Sequence, residues 1–287
     1  MSPAAIALVL AAAVAHASWN LFGKQAAETG AAFFVWLLAV SAGIIYLPVV
    51  IVTVIITRPH LSGLNWLFLA GTGLLHGGYF LFLQLGYRIG DLSLAYPIGR
   101  GTGALLAAVA GIVLLGERPT LIGYAGILAI VTGVVVIGLP ERAITSTAAG
   151  AIGFALVTGL FIGIYTIWDK YAVATLHTGP VLQGYAGFPL MAAVFTPFVL
   201  RDRATLAKVW HSFRPQVLGA AVLSPLAYML VLLALSFTAV SAVAPAREVS
   251  VLFGVLLGGR LLGEGSLTRR LVAAVAIVAG IIAIAIA

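Results

Sequence analysis

The chain has 287 residues, of which 62% are hydrophobic and only 8% charged, and its mean hydropathy is +1.17. A soluble domain could not bury that much apolar surface, so a soluble enzyme, a disordered chain and a nucleic-acid-binding module are excluded and an all-α polytopic membrane protein is indicated. The net charge of +7 suits loops beside anionic lipid headgroups, and the absence of cysteine excludes disulfides, thiolate chemistry and Cys-based metal sites.

A bilayer-crossing helix needs about 20 apolar residues. Punctuation by Pro, Gly and charge gives ten such runs, near 3–23, 32–57, 64–88, 92–115, 120–140, 149–170, 179–200, 215–237, 241–262 and 268–286. Ala15-His16-Ala17 has the small residues of a signal cleavage site, but no positive charge precedes it, so the first run is read as a span. The longest polar connection runs from Arg201 to Pro215.

In the first span, His16, Trp19, Asn20, Gly23 and Lys24 share one helical face. The third repeats the design with His76, Tyr79, Phe80 and Gln84. The fourth carries Ser93, Tyr96, Pro97 and Arg100, followed by glycines that suit close helix packing. Tyr165, Trp168 and Asp169 form a stripe on the sixth span, and Tyr228 is the polar aromatic of the eighth. The ninth holds Ser241, Pro245, Arg247 and Glu248.

Aromatic rings with polar tips suit a cavity for amphipathic molecules, although Trp19 and Trp168 equally suit a belt at headgroup depth. Trp19, Asn20, His76, Tyr79, Phe80, Tyr96, Arg100, Tyr165, Tyr228 and Arg247 are therefore the expected substrate contacts. His16, His76 and Glu248 are the candidates for proton coupling; the alternatives are hydrogen-bonded packing for the histidines and neutralisation of an arginine for Glu248.

Pro97 and Pro245 each lack a donor and clash with a carbonyl four residues back, on Ser93 and Ser241. These paired interruptions are expected to break both helices at a binding site, with Arg100 at the restart gripping a substrate carboxylate. Lys24 and Lys170 are expected to snorkel to water, and Glu117 and Glu264 to stabilise the starts of the fifth and tenth spans. No His-x-x-x-His pair or acidic cluster points to a metal. No cofactor is expected, and the sequence has no P-loop for ATP.

The chain repeats itself. Ser93-Leu-Ala-Tyr-Pro-Ile-Gly-Arg100 leads to Leu115-Gly116-Glu117, and Ser241-Ala-Val-Ala-Pro-Ala-Arg247 leads to Leu262-Gly263-Glu264. Trp19–Lys24 lies over Tyr165–Lys170, and the offsets are 146 to 148. The halves are thus 1–147 and 148–287, each with five spans; the odd number makes the second an inverted copy around a central cavity.

This pattern resembles the EamA-type drug/metabolite transporter superfamily over the whole chain. The resemblance implies ten spans, a small-molecule substrate and a cavity lined mainly by spans 1, 3, 4, 6, 8 and 9. The expected function is secondary transport by alternating access, exporting small metabolites with amino acids foremost. The alternatives are a multidrug or a nucleotide-sugar/sugar-phosphate carrier; an intramembrane enzyme or channel fits less well. Partners are then a carboxylate-bearing solute and membrane lipid, with no nucleic acid; a monomer suffices, and a dimer is compatible. A bacterial inner-membrane location is expected, and ten basic residues against three favour both termini outside.

Overall fold

The computed structural model describes residues 1–90, 92–138, 146–250 and 267–287, and the regular structure among them is entirely helical. In chain order the helices are α1 (Pro3–Thr57), α2 (Gly63–Ile89), α3 (Leu92–Leu114), α4 (Leu121–Gly138), α5 (Ser146–Ala174), α6 (Pro180–Val199), α7 (Arg203–Phe237), α8 (Val240–Ala246) and α9 (Leu267–Ile286).

Among the described residues, seven stretches are long and apolar enough to cross a membrane, and Leu121–Val136 and Val275–Ile284 are shorter apolar helices. The first two spans share α1, where Gly30 departs from helical dihedrals (φ 172°, ψ 92°) and divides it into two arms. Of the ninth span, α8 and the turn after it are described as far as Ser250; its remainder to residue 262, Glu264 and the Ser93 side chain lie outside the described residues.

Local chemistry sets the helix ends. Ser62 and Asn65 exchange bonds in a capping box at the start of α2. The connection from Arg201 to Pro215 is itself largely helical. Asp202 caps it by accepting from the Thr205 backbone N–H at 2.9 Å, and the dihedrals break only at Phe213, just before Pro215. Bonds from Thr205 hold the Asp202 carboxyl below the usual carboxylate range.

Small residues let the helices approach. On α3, Gly99 and Gly103 pack against Gly159 on α5: a Cβ on Gly159 would lie 2.8 Å from the Gly99 carbonyl oxygen and 2.6 Å from Thr102 Cβ. α4 and α9 cross in the same manner, where a Cβ on Gly280 would stand 2.6 Å from the Gly126 carbonyl oxygen. Large apolar side chains cover the outside, notably Ile44, Ile51, Ile55 and Ile56 on the second arm of α1, as lipid requires.

The two prolines behave differently. α3 runs unbroken through Pro97, so the expected restart before Arg100 is absent. Pro97 lies in the second turn, and its missing donor would have paired with the helix's second residue, near an end where little is lost. The second copy does break. After Pro245, Glu248 N bonds to Pro245 O at 2.9 Å and Ser250 N to Arg247 O at 3.1 Å, three-residue steps that turn the chain at Arg247 and Glu248.

The crossing of α3 and α5 leaves no room for a side chain at Gly159. Gly159→Val should destabilise the detergent-solubilised protein by about 1–3 kcal/mol. Gly153→Ala, where an added Cβ meets nothing within 4 Å, should be close to neutral; thermal unfolding of both variants checks the contrast.

Candidate functional site

The pocket lies where α1, α2, α5, α6 and α7 converge. His16 and Trp19 come from α1, Thr72, His76, Tyr79 and Phe80 from α2, and Tyr165 from α5. Gln183, Gly184, Gly187, Phe188 and Met191 line it from α6, and Ser224 and Tyr228 from α7. The space among these side chains is about 430 Å³, most of it too narrow for a water molecule, so the rings close on one another. The His76 ring stands 4.2 Å from Tyr165 and 4.6 Å from Tyr228 between centroids, and Trp19 stands 5.3 Å from Phe80. A second cavity between α2, α3 and α5 is lined by Leu106, Leu160, Ile164 and other apolar side chains, several exposed on the outer face, and has little polar surface to orient a solute.

Positions related by the repeat offset line the pocket together. Trp19 and Tyr165 are 146 residues apart; His76 and Ser224, and Phe80 and Tyr228, are each 148 apart. The same offset governs the lysines. Lys24 donates to the carbonyls of Tyr87 (2.8 Å) and Gly90 (3.0 Å), and Lys170 to those of Leu235 (2.8 Å) and Thr238 (2.9 Å), again 148 residues on. Each lysine thus binds the carbonyl end of a helix, where a cation is favoured, rather than reaching for water.

Beside the pocket lies a buried charge cluster. Arg100 donates from Nε to Glu248 Oε2 at 3.0 Å and from Nη2 to Glu248 Oε1 at 2.8 Å, a two-pronged pair with both side chains out of solvent. Arg247 Nε stands 3.5 Å from the same Oε1, and its Nη2 donates to Thr166 Oγ1 at 3.1 Å. Arg100 and Glu248 are 148 residues apart, so the prolines align them as equivalent positions. Two arginines against one glutamate leave one positive charge over.

Asp169 carries the opposite charge. It is fully buried and accepts from Gln183 Nε2 at 2.7 Å and from the hydroxyls of Thr72 and Tyr228. All three donors line the pocket, and no lysine or arginine pairs with Asp169 among the described residues. Thr166 and Asp169 are three residues apart on α5, about 4.5 Å along its axis. Both lie beyond Tyr165, so the positive cluster, through Thr166, and the lone carboxylate reach the same helix within one turn of each other.

Of the expected contacts, Trp19, His76, Tyr79, Phe80, Tyr165 and Tyr228 line the pocket, as does His16. Trp19 is fully buried, with its indole N–H on His16 Nδ1 at 2.9 Å, and is no headgroup anchor. Asn20 donates to His16 O and accepts from Tyr87 Oη, both at 2.7 Å, and Tyr96 donates to Ser250 Oγ at 3.0 Å; both stand behind the lining. Arg100 and Arg247 are likewise outside the lining, engaged by Glu248 and Thr166. Glu117 does not serve its own span: it accepts the N–H groups of Val240 and Ser241, both at 2.8 Å, at the start of α8 in the other half.

The α6 lining is not marked in the sequence: Gln183 stands alone as a polar residue with no stripe around it. Gly184, Gly187, Phe188 and Met191 follow the same helical spacing as the stripes on the other helices, but they carry no polar group to attract notice.

The cluster's charge balance makes its members unequal. Glu248→Met leaves two buried arginines unneutralised and should cost about 3–5 kcal/mol. Arg100→Met leaves Arg247 to neutralise Glu248 and should cost less. Detergent melting curves for the two variants give the ranking.

No curated protein matches the chain. A crystal structure of a protein 16% identical superposes with a TM-score of 0.73, covering 99% of this chain and 96% of its own, a likeness that speaks to the fold alone. The profile of the EamA-like transporter family matches residues 3–139 and again residues 149–286, and on that double match across nearly the whole chain the protein belongs to the EamA-like transporter family.

Proposed function

We propose that the protein is a secondary transporter that exports small amphipathic zwitterions, amino acids foremost, by alternating access at the aromatic pocket. One observation carries this reading: two separate groups of buried charge stand beside the pocket, a net positive cluster of Arg100, Arg247 and Glu248 anchored at Thr166, and Asp169 held by the pocket residues Thr72, Gln183 and Tyr228. A solute with a carboxylate and an ammonium a few ångströms apart complements both, while its side chain meets Trp19, Phe80, Phe188 and Met191. The carboxylate expected to meet Arg100 would then be drawn by the cluster as a whole.

The halves 1–147 and 148–287 act in this reading as inverted five-helix repeats that rock about the pocket. The offset-related pairs that line it support that symmetry, since both conformations can then be built from the same contacts with the halves exchanged. The narrow interior corresponds to a state closed around the pocket, and a solute enters only when the halves part. Ser241 and Pro245, at the start of the broken ninth span, are the candidate hinge; Ser93 and Pro97 hold the equivalent place in the first half. A bacterial inner membrane, with both termini outside, is the setting that the loop charges favour.

A multidrug carrier is the second reading, favoured by Asp169 behind a ring of aromatics, which by itself suits lipophilic cations. Three solutes of one shape separate the two. In proteoliposomes, L-phenylalanine should be carried at least about tenfold faster than phenethylamine or 3-phenylpropionate, a difference of ~1.4 kcal/mol for each charge removed. Preference for phenethylamine would transfer the assignment to cation efflux.

A further inference from the structure

Two histidines line the pocket, and their hydrogen bonds fix different roles. The Trp19 indole can only donate, so His16 Nδ1, 2.9 Å from it, must hold a lone pair. His16 is therefore neutral, with its one proton on Nε2. A carbonyl oxygen can only accept, so His76 Nδ1, 2.9 Å from Thr72 O, must carry a proton. In the neutral ring, His76 Nε2 is then a bare lone pair. It is buried in the pocket lining and has no hydrogen-bond partner among the described residues.

The groups facing His76 decide what that lone pair can take. From its own helix comes Tyr79, and from α5 come Tyr165 and Asp169. Tyr228 faces it from α7, His16 lies across the pocket on α1, and Arg247 acts from the turn after α8. α6 contributes Gln183, Gly184 and Gly187 to the pocket and no ionisable group. Asp169 is the negative member of this set, and it is tied to His76 through Thr72, whose hydroxyl donates to the carboxylate while its carbonyl accepts from the ring. The other expected proton carriers are already committed: His16 Nδ1 to Trp19, and Glu248 to Arg100 with Arg247 beside it.

We propose that His76 is the proton-exchange site of the transport cycle: its Nε2 lone pair takes either a proton or an N–H of the substrate ammonium, never both, and Asp169 supplies the negative charge that either occupant needs. This rests on the pocket being the transport site for ammonium-bearing solutes. Substrate binding from inside releases the Nε2 proton to the inside solution; a proton arriving from outside displaces the substrate outward. The exclusion of one cation by the other converts an inward proton gradient into export, with no contact beyond those at His76.

Two measurements on the full chain test it. L-Phenylalanine added to weakly buffered, detergent-solubilised protein containing a pH-indicator dye should release protons, and its Kd should rise about tenfold per unit fall in pH on the acid limb. In proteoliposomes with an acidic lumen, the wild type should accumulate L-phenylalanine. Whatever uptake His76→Gln retains should be the same with or without the gradient, whereas whatever uptake His16→Gln retains should still respond to it. Gradient-driven accumulation by His76→Gln, or phenylalanine binding without proton release and with a flat pH profile, overturns the assignment. Should His76→Gln carry nothing, the dye measurement on the wild type decides alone. Absence of phenylalanine counterflow in the wild type would remove the transport reading itself; counterflow indifferent to pH would remove only the role of His76.

Discussion

The two-pronged pair of Arg100 and Glu248 joins the two repeats through charges buried out of solvent. Two charges taken out of solvent are tolerated only when they meet in good geometry, and bonds of 3.0 and 2.8 Å provide it. The partners come from equivalent places in the two copies, arginine in the first and glutamate in the second, so the ion pair joins matching positions of the repeats. Arg247 follows from the helix break in the second copy: with the chain turning at Arg247 and Glu248, a second guanidinium reaches the same carboxylate and the cluster keeps one positive charge. Without Glu248, two arginines would face each other in a membrane interior, where every unpaired charge is costly.

That remaining charge gives the pocket a direction. The cluster is anchored at Thr166, and Asp169, one turn along the same helix, is held by Thr72, Gln183 and Tyr228 of the pocket lining. A low-dielectric wall strengthens both fields, which in the proposed reading orients a zwitterion as it enters. The lysines complete the frame from a distance, each binding the carbonyl end of a helix in its own half. These polar groups are spent on architecture, which is why so few of them line the pocket itself.

The sequence made much of this legible. The apolar runs mark the helices, and the stripes His16–Trp19 and His76–Tyr79–Phe80 give most of the lining on the first half, because a lipid-facing helix has no use for them. The offset between copies gives the lysine pair. Three things were hidden. Alignment by arginines made Arg100 and Arg247 counterparts, whereas alignment by Pro97 and Pro245 makes Glu248 the counterpart of Arg100, and only the fold brings that pair into contact. The place of Glu117 in the sequence points to its nearest helix start, although its bonds cross to Val240 and Ser241 in the other half. Apart from Gln183, the α6 lining is apolar, so periodicity alone could not tell it from packing.

Exchange of the two central charges addresses the claim on which all of this depends. Melting temperatures should be compared for Arg100→Glu, Glu248→Arg and the double exchange. Each single reversal leaves like charges buried together, while the double exchange restores opposite charges across the repeats with the same total. Recovery of most of the lost stability in the double variant is the expected result. A double variant no more stable than the worse single one would contradict a stabilising role for the Arg100–Glu248 contact.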